Sequence, residues 1–288
     1  MPDCLICNLC QSPGTFDAAT DVVRVTSNLR RFQEQVFTVW RCTNCNSLHS
    51  KEEVDLNYYY KNYIKLPENY FTYVAYGNRL KLLKNHGFTK EKSLLDFGCN
   101  QGSFLFFLRK KGYEKIAGYD PYFSRFSNPD TLKKKYDFVA SYDVIEHVEN
   151  PGKFFQRLAG LLNQNGVIII VTPNAEGMDN SNPDLTTLHQ PYHQHILSKK
   201  ALLNLGRKNN LAIERVLDRS FYDTLFPGVN WRAFKCYIER TGGFLEIVEE
   251  APKISTILLS PKLLFYAFAG YLLPYSDCMT IVFRQSLS

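Results

Sequence analysis

The sequence lacks any apolar run long enough to cross a membrane. Its most apolar late stretch, residues 263–273, is eleven residues long and is closed by Pro274, whereas a spanning helix needs about 20 residues. We therefore expect no membrane span, and we expect this stretch to form a buried or interfacial helix. The opening MPDCLICNLC also lacks the apolar segment of a secretory signal. We expect a cytoplasmic protein.

The chain also lacks a strong excess of one charge. Its 34 basic and 28 acidic residues give a formal net charge of only +6. Part of that excess lies in short runs such as residues 133–135, which are typical of solvated surfaces. Nucleic acid is therefore not the expected partner.

Cysteine is abundant only at the N-terminus, where five of the eight cysteines fall within the first 45 residues. Two C-x-x-C pairs separated by 31 residues predict four thiolates around a structural zinc ion. The segments CNLCQS and CTNCNS share small polar residues after the second cysteine, which favours Cys7, Cys10, Cys42 and Cys45 as ligands. Cys4 is then spare, although the spacing leaves open whether Cys4 replaces Cys10. Such a site would let a segment too small for its own core fold.

The order of predicted elements indicates three parts, namely residues 1–55, 56–91 and 92–288. The first is the zinc-binding module, and the second is an aromatic, helical segment that is either a packed linker or a substrate cover. In the third, strands and helices alternate, which predicts a doubly wound, mostly parallel α/β sheet. GVIIIVTPN reads as a strand buried on both faces, and DCMTIVFRQ reads as a closing edge strand. Residues 121–135 are turn-rich and too short for a full helix and strand.

The stretch LLDFGCNQGSF predicts a strand, a glycine loop and a helix N-terminus. Gly98 and Gly102 allow a close approach to a ligand, and Asp120 ends the next strand, 24 residues after Asp96. Such an acid can accept hydrogen bonds from a ribose, so the pattern indicates a nucleoside-containing cofactor. The spacing G-x-x-x-G does not fit the G-x-G-x-x-G of dinucleotide sites. Asn100 is the non-glycine type that best tolerates a left-handed backbone.

These residues resemble a known family. D-F-G-C-N-Q-G is similar to the D-x-G-C-G-x-G signature of class I S-adenosylmethionine-dependent methyltransferases, and the resemblance continues through GYDP and YDFVASYDVIEHV to about residue 218. It implies a Rossmann-like fold that binds S-adenosyl-L-methionine. The N-terminal cysteine arrangement is similar to that of deoxysugar C-methyltransferases, which implies a zinc module that helps to cover the substrate.

The resemblance also implies where the cofactor binds. The implied residues are Asp96, Gly98, Asn100, Gly102, Asp120, Tyr142 and Asp143. The first four form the loop on the methionine side, where Asn100 replaces a glycine, and Asp120 holds the ribose. Tyr142 and Asp143 lie beside the adenine or the methyl donor.

Methyl transfer from a sulfonium requires alignment of the acceptor and, where the acceptor is protonated, a base. Histidine has a suitable pKa. His193 and His195, in the loop after the fifth strand, are the first candidates, and His147 is the next. The motif D-V-I-E-H is also similar to the stretch with which ubiquinone-pathway O-methyltransferases hold a divalent ion. This resemblance would imply a divalent ion at Asp143, Glu146 and His147.

We therefore expect methyl transfer to oxygen or carbon of a sugar, a polyketide or a quinone-like ring. The alternatives are methylation of a protein or RNA, or a catalytically silent methyltransferase fold that serves as an interaction module. The sequence names neither the acceptor nor the oligomeric state.

Overall fold

The N-terminal part of the chain forms a small antiparallel sheet. The computed structural model describes residues 6–12, 21–61, 63–65, 67–274 and 277–285. The first strands are β1 (Val22–Thr26), β2 (Val36–Arg41) and β3 (Leu48–Ser50), paired in that order. The sequences of β1 and β2, VVRVT and VFTVWR, have the β-branched and aromatic composition that is typical of strands. Cys4 lies outside the described residues.

Two helices connect this sheet to the remainder of the chain. They are α1 (Leu56–Tyr60) and α2 (Tyr70–Asn85). Asn69 and Thr72 form a reciprocal capping box at the start of α2, and Gly87, with φ +94°, follows its end. The aromatic segment is therefore helical at both ends.

Strands and helices alternate in the next part of the chain, as the pattern predicted. The elements are β4 (Leu94–Phe97), α3 (Ser103–Lys110), β5 (Ile116–Tyr119), β6 (Tyr136–Tyr142), α4 (Pro151–Gly160), β7 (Leu162–Pro173), α5 (Leu185–Leu188), β8 (His195–Ile196), α6 (Lys199–Lys208) and β9 (Leu211–Leu217). Between β5 and β6 lie only the short 3-10 helices Ser124–Phe126 and Pro129–Lys133. The expected absence of a full helix and strand in that segment is confirmed.

The C-terminal elements are α7 (Trp231–Arg240), α8 (Ile254–Leu258), α9 (Pro261–Ala269) and β10 (Cys278–Gln285). The large sheet has the order β5-β4-β6-β7-β10-β9, and its first four strands are parallel. The Rossmann-like α/β fold class is confirmed. The prediction that DCMTIVFRQ closes the edge was wrong, because β10 pairs antiparallel with both β7 and β9. Its residues from Cys278 to Phe283 are buried, as an interior strand requires.

Successive residues of the central strands point to opposite faces of the sheet. Leu95 and Ile168 belong to the core on one face, and Leu94 and Ile169 belong to the core on the other. The first core continues into the cysteine-rich segment through Trp40. Within the described residues, no helix is both long enough and apolar enough to cross a bilayer.

Candidate active site and candidate metal centre

The two C-x-x-C segments form the same tight turn. Gln11 and Asn46, the residues after the second cysteine of each pair, both have φ +60°. Their N–H groups donate to the carbonyls of Cys7 and Cys42 at 2.9 and 2.8 Å. Each turn therefore brings its two sulfur atoms to one side.

The four sulfur atoms of Cys7, Cys10, Cys42 and Cys45 lie within 4.8 Å of one another. The Sγ distances are 3.6 Å for Cys7–Cys45 and 3.7 Å for Cys10–Cys42. A tetrahedral zinc with Zn–S bonds near 2.3 Å requires sulfur separations of roughly 3.8 Å. The geometry of the four thiols therefore fits a zinc ion. Cys10 is one of the four, as the favoured ligand set requires.

The cysteine cluster is hydrogen-bonded to the loop that carries the candidate histidines. His49 on β3 lies between the two, with Nε2 3.3 Å from Cys7 Sγ and Nδ1 2.9 Å from His195 Nδ1. The strand β8, which contains His195, pairs with β3 and completes the small sheet. Ser198 donates to the carbonyl of Cys45. The small sheet thus includes a strand from the α/β part of the chain.

The glycine loop after β4 has a left-handed backbone at three positions. The φ angles are +81° at Gly98, +51° at Asn100 and +79° at Gly102. A Cβ atom at Gly98 would lie 2.3 Å from Val144 Cγ2, and one at Gly102 would lie 2.3 Å from Phe126 Cζ. Both glycines are therefore required by conformation and by close packing, and Asn100 adopts the conformation that its side chain tolerates.

Asp120 connects this loop to the end of β5. Its carboxylate is 7% exposed and accepts hydrogen bonds from the N–H groups of Asn100 at 2.9 Å and Tyr122 at 3.0 Å. Burial raises the pKa of Asp120, while these two bonds oppose the shift. Each carboxylate oxygen has more than one lone pair, so Asp120 can hold the loop and still accept a ribose hydroxyl.

Buried acids line the space between the glycine loop and the end of β6. Burial raises the pKa of both Asp96 and Asp143 to about 6, and the Arg79 guanidinium opposes both shifts. Among the described residues, Arg79 Nε and Tyr142 Oη are buried without a hydrogen-bond partner. Acids and donors arranged in this way suit the amino, carboxylate and sulfonium groups of S-adenosylmethionine.

Sequence reasoning missed Arg79. It projects from α2, and its guanidinium carbon lies 3.8 Å from the centre of the Phe221 ring and 4.3 Å from that of Tyr142. Nothing in the motif YGNRLKLL distinguishes this arginine from a surface residue, so only its tertiary neighbours identify it.

Glu146, His147 and His193 form a second cluster, with one candidate ligand atom from each within 4.8 Å of the others. Glu146 is fully buried and accepts from Thr172 Oγ1 at 2.9 Å through Oε2. Its Oε1 has no hydrogen-bond partner among the described residues and lies 4.0 Å from His193 Nε2. Burial raises the pKa of Glu146 well above its usual range. A buried carboxylate oxygen without a partner is expensive unless a ligand completes the site.

Both histidines of this cluster are oriented by backbone carbonyls. His193 Nδ1 lies 2.7 Å from the Thr187 carbonyl, and His147 Nδ1 lies 3.1 Å from that of Tyr192. A carbonyl only accepts, so Nδ1 of His193 carries the proton and its Nε2 retains the lone pair. His147 Nδ1 also lies 2.9 Å from Tyr60 Oη, which can donate or accept, so the tautomer of His147 depends on that hydroxyl. Burial lowers the pKa of His193 to about 4 and that of His147 well below its usual value. Both imidazoles are therefore neutral near pH 7.

The other two histidines of the loop have partners on both ring nitrogens. His195 contacts His49 and, through Nε2, the Glu149 carbonyl at 3.1 Å. His189 contacts Asn28 Oδ1 at 2.8 Å and Tyr63 Oη at 3.1 Å. The structure thus brings His193 and His147 together and directs His195 towards the cysteine cluster.

Tyrosines from the aromatic linker cover the cluster. Tyr60 Oη lies 2.9 Å from His147 Nδ1, and the Tyr60 ring stacks on Tyr122, two residues beyond Asp120, at 4.4 Å. Tyr63 packs against Tyr192. The linker therefore contacts both the segment that follows β5 and the loop that carries the candidate histidines.

Comparison with known proteins identifies the family of the α/β part of the chain. A family model described as "Methyltransferase domain" matches residues 69–216. A tRNA U34 carboxymethyltransferase of Sulfurimonas denitrificans is 24% identical over 120 residues, which are 34% of this chain and 40% of that protein. The chain thus matches less than half the length of that relative.

Two solved structures illustrate the likeness. A geranyl diphosphate C-methyltransferase from Streptomyces coelicolor A3(2) gives a TM-score of 0.46 at 13% identity, with 73% of this chain and 76% of that chain covered. An S-adenosylmethionine-dependent methyltransferase from Mesorhizobium loti gives 0.43 at 15% identity, with 72% and 97% covered.

The fold and the glycine loop define a Rossmann-like methyltransferase. The chain belongs to the methyltransferase-domain family, whose model it matches over residues 69–216.

Proposed function

We propose that the protein transfers the methyl group of S-adenosylmethionine to oxygen or carbon of a small molecule held at Glu146, His147 and His193. The observation that carries this proposal is the buried Glu146 Oε1, which has no hydrogen-bond partner in the described part of the chain and lies 4.0 Å from His193 Nε2. An acceptor hydroxyl, or the enol of an acidic carbon, would complete that hydrogen-bonding arrangement.

The cofactor would lie along the glycine loop. Asp96, Gly98, Asn100 and Gly102 would border its methionine part, while Asp120 would hold the ribose. Tyr142 and Asp143 would lie beside the adenine or the methyl donor. When bound, S-adenosylmethionine supplies an electrophilic methyl group on a sulfonium.

We assign proton removal to His193, with His147 beside it. His193 Nε2 has a free lone pair and can take the acceptor's proton as the methyl group transfers, leaving the acceptor methylated and the imidazole protonated. The Glu146 Oε1 atom can then accept a hydrogen bond from the protonated Nε2. Both ring nitrogens of His195 are occupied, which favours a positioning role for His195. The same cluster also has the ligand types for a divalent ion, and metal analysis distinguishes the two possibilities.

Replacing His193 by glutamine should lower kcat by about 10²- to 10⁴-fold, because a positioned base contributes that much. S-adenosylmethionine affinity, measured by calorimetry, should stay near that of the wild type. His195→Gln is the matched control on the same loop and should lose less turnover. Full activity in both His193→Gln and His147→Gln would place the base elsewhere.

The rate should depend on pH according to the shifted pKa of His193. A base works only when it is unprotonated, and burial lowers this pKa to about 4. We therefore expect the pH limb that belongs to His193, identified as the one lost in His193→Gln, to lie below about pH 5. The rate is measured as kcat at saturating S-adenosylmethionine, because Asp96 and Asp143, whose pKa values are about 6, would act on cofactor binding. A His193-dependent limb centred near pH 6.5, the value of an unperturbed histidine, would contradict a buried histidine base.

The zinc ion would be structural, because four thiolates leave no open coordination position. We propose the three-part division at residues 1–55, 56–91 and 92–288, with β8 of the third part completing the sheet of the first. The zinc module and the tyrosines would then shape the acceptor site.

The similarity to the tRNA-modifying relative supports a second candidate, methylation of RNA. Incubation with labelled S-adenosylmethionine and either total tRNA or a small-molecule extract would separate the two. Label that remains in tRNA after removal of protein would overturn the small-molecule acceptor and leave the methyltransferase assignment intact.

A further inference from the structure

The C-terminal helices expose an unusual apolar surface. Ile254, Leu258 and Leu259 of the α8 segment, with Phe265, Phe268 and Leu272 of the α9 segment, form what we term the outer apolar face. These six side chains are between 55 and 82% exposed. Isolated exposed apolar residues are ordinary, whereas a cluster of this kind marks an interaction surface.

The outer apolar face follows from helical periodicity. Phe265, Phe268 and Leu272 recur at spacings of three and four, so they share one side of the helix and its 3-10 extension over Gly270–Leu272. The opposite side packs inward through Leu263 and Tyr266 against α7. A helix that is apolar on all sides normally has both sides covered, either by protein or by lipid.

A neighbouring loop extends this surface. Leu225 and Phe226 are 71 and 56% exposed. The N–H of Gly228 donates to the Ala267 carbonyl on α9 at 2.8 Å, which fixes the loop beside the helix. The same loop begins at Phe221, whose ring packs against Tyr142 of the cofactor site. The apolar surface and the active site therefore share one loop.

The charged side chains within the segment that carries the outer apolar face are basic, and the acids directly before it, Glu249 and Glu250, accept hydrogen bonds from the Lys65 N–H and from Arg30. Residues 251–276 contain Lys253 and Lys262 and no acidic residue. Arg219 lies over the Tyr271 ring at 4.2 Å, and Lys262 lies 5.8 Å from the Tyr266 ring. Exposed leucine and phenylalanine side chains bordered by lysine and arginine suit the interface of a bilayer with anionic headgroups.

We propose that the outer apolar face inserts into the headgroup region of an anionic lipid bilayer, with Lys253 and Lys262 next to lipid phosphates. The nine residues of α9 are too few to span a bilayer, so the helix lies on the membrane. The sequence pattern had left open a buried or an interfacial helix, and the exposed side chains select the interfacial one.

Vesicle sedimentation of the full chain tests this inference. We expect binding to vesicles of equal parts phosphatidylglycerol and phosphatidylcholine, weaker binding to pure phosphatidylcholine, and weaker binding at high salt. Phe265→Ser/Phe268→Ser should reduce binding about tenfold to hundredfold, because two large apolar side chains no longer leave water. Lys253→Gln/Lys262→Gln should reduce the preference for anionic vesicles.

The matched control is Val22→Ser/Val36→Ser, which removes two exposed apolar side chains from β1 and β2 and should leave vesicle binding unchanged. Calorimetry with S-adenosylmethionine checks that each variant is folded. Three results would overturn the inference: no binding of the wild type to anionic vesicles, equal binding by the phenylalanine variant, or a wild-type dimer that does not bind vesicles and becomes monomeric in that variant.

Discussion

Gly98→Val should abolish measurable S-adenosylmethionine binding, with a loss of at least about a hundredfold in affinity. Valine at φ +81° incurs roughly 1–2 kcal/mol of backbone strain. Its Cβ would also lie 2.3 Å from Val144 Cγ2, and overpacking of this kind costs about 1–3 kcal/mol. Val144 follows Asp143 directly, so the clash would displace both the glycine loop and the end of β6. Isothermal titration calorimetry measures the effect.

Two matched variants separate a binding defect from general destabilisation. Gly160→Val introduces the same side chain where a Cβ would meet nothing within 4 Å, and it should bind the cofactor normally. Asn100→Gly keeps the left-handed backbone and should also be tolerated. Asp120→Asn should weaken binding, because an amide accepts ribose hydroxyls less well than a carboxylate and its NH2 group would face one of the two backbone N–H donors that the carboxylate accepts from. Normal binding by Gly98→Val would reduce this loop to a simple turn.

Cys42→Ser should lose the zinc ion and, with it, most of the methyl transfer. The wild type should contain about one zinc per chain, and structural zinc sites contribute about 10–16 kcal/mol in small peptides. Without zinc, the two cysteine turns would separate, and the contacts of His49 and Ser198 with Cys7 and Cys45 would be lost. Those contacts support the loop that carries His193. Metal analysis and turnover measure the two effects.

The zinc prediction has its own control. Cys236→Ser changes a cysteine that is 2% exposed and lies outside the four-thiol cluster, and it should retain the full zinc content. S-adenosylmethionine affinity should change little in Cys42→Ser, because the glycine loop lies on a different sheet. A folded wild-type protein without metal, or a Cys42→Ser variant with full zinc content, would contradict the four-thiolate site.

The parts of the site that could be predicted from sequence are local in the chain. Each C-x-x-C turn needs only six residues, and the left-handed conformation of Asn100 follows from the side chain and its loop. The strand pattern likewise depended on short apolar runs such as that of β7. The turn-forming residues between β5 and β6 also predicted that this segment contains no full helix and strand.

The features that could not be predicted from the sequence depend on contacts between residues that are far apart in the chain. Glu146 and His193 are 47 positions apart, and Arg79 comes from a helix before the sheet. The pattern of β10 did not reveal that it would enter the sheet between β7 and β9, because strand order is set by packing among all the strands. His193 and His195 were equal candidates by spacing. Only the partners of their ring nitrogens separate them.

By itself, then, the sequence determined the α/β class, the two cysteine turns and the glycine loop with its acid, because backbone conformation and hydrophobic periodicity are properties of neighbouring residues. Tertiary structure alone decided which histidine faces Glu146, which arginine lies beside the buried acids, and that the last helix presents phenylalanine and leucine to its surroundings. Those outcomes depend on side-chain direction and burial, which arise only when distant elements pack together.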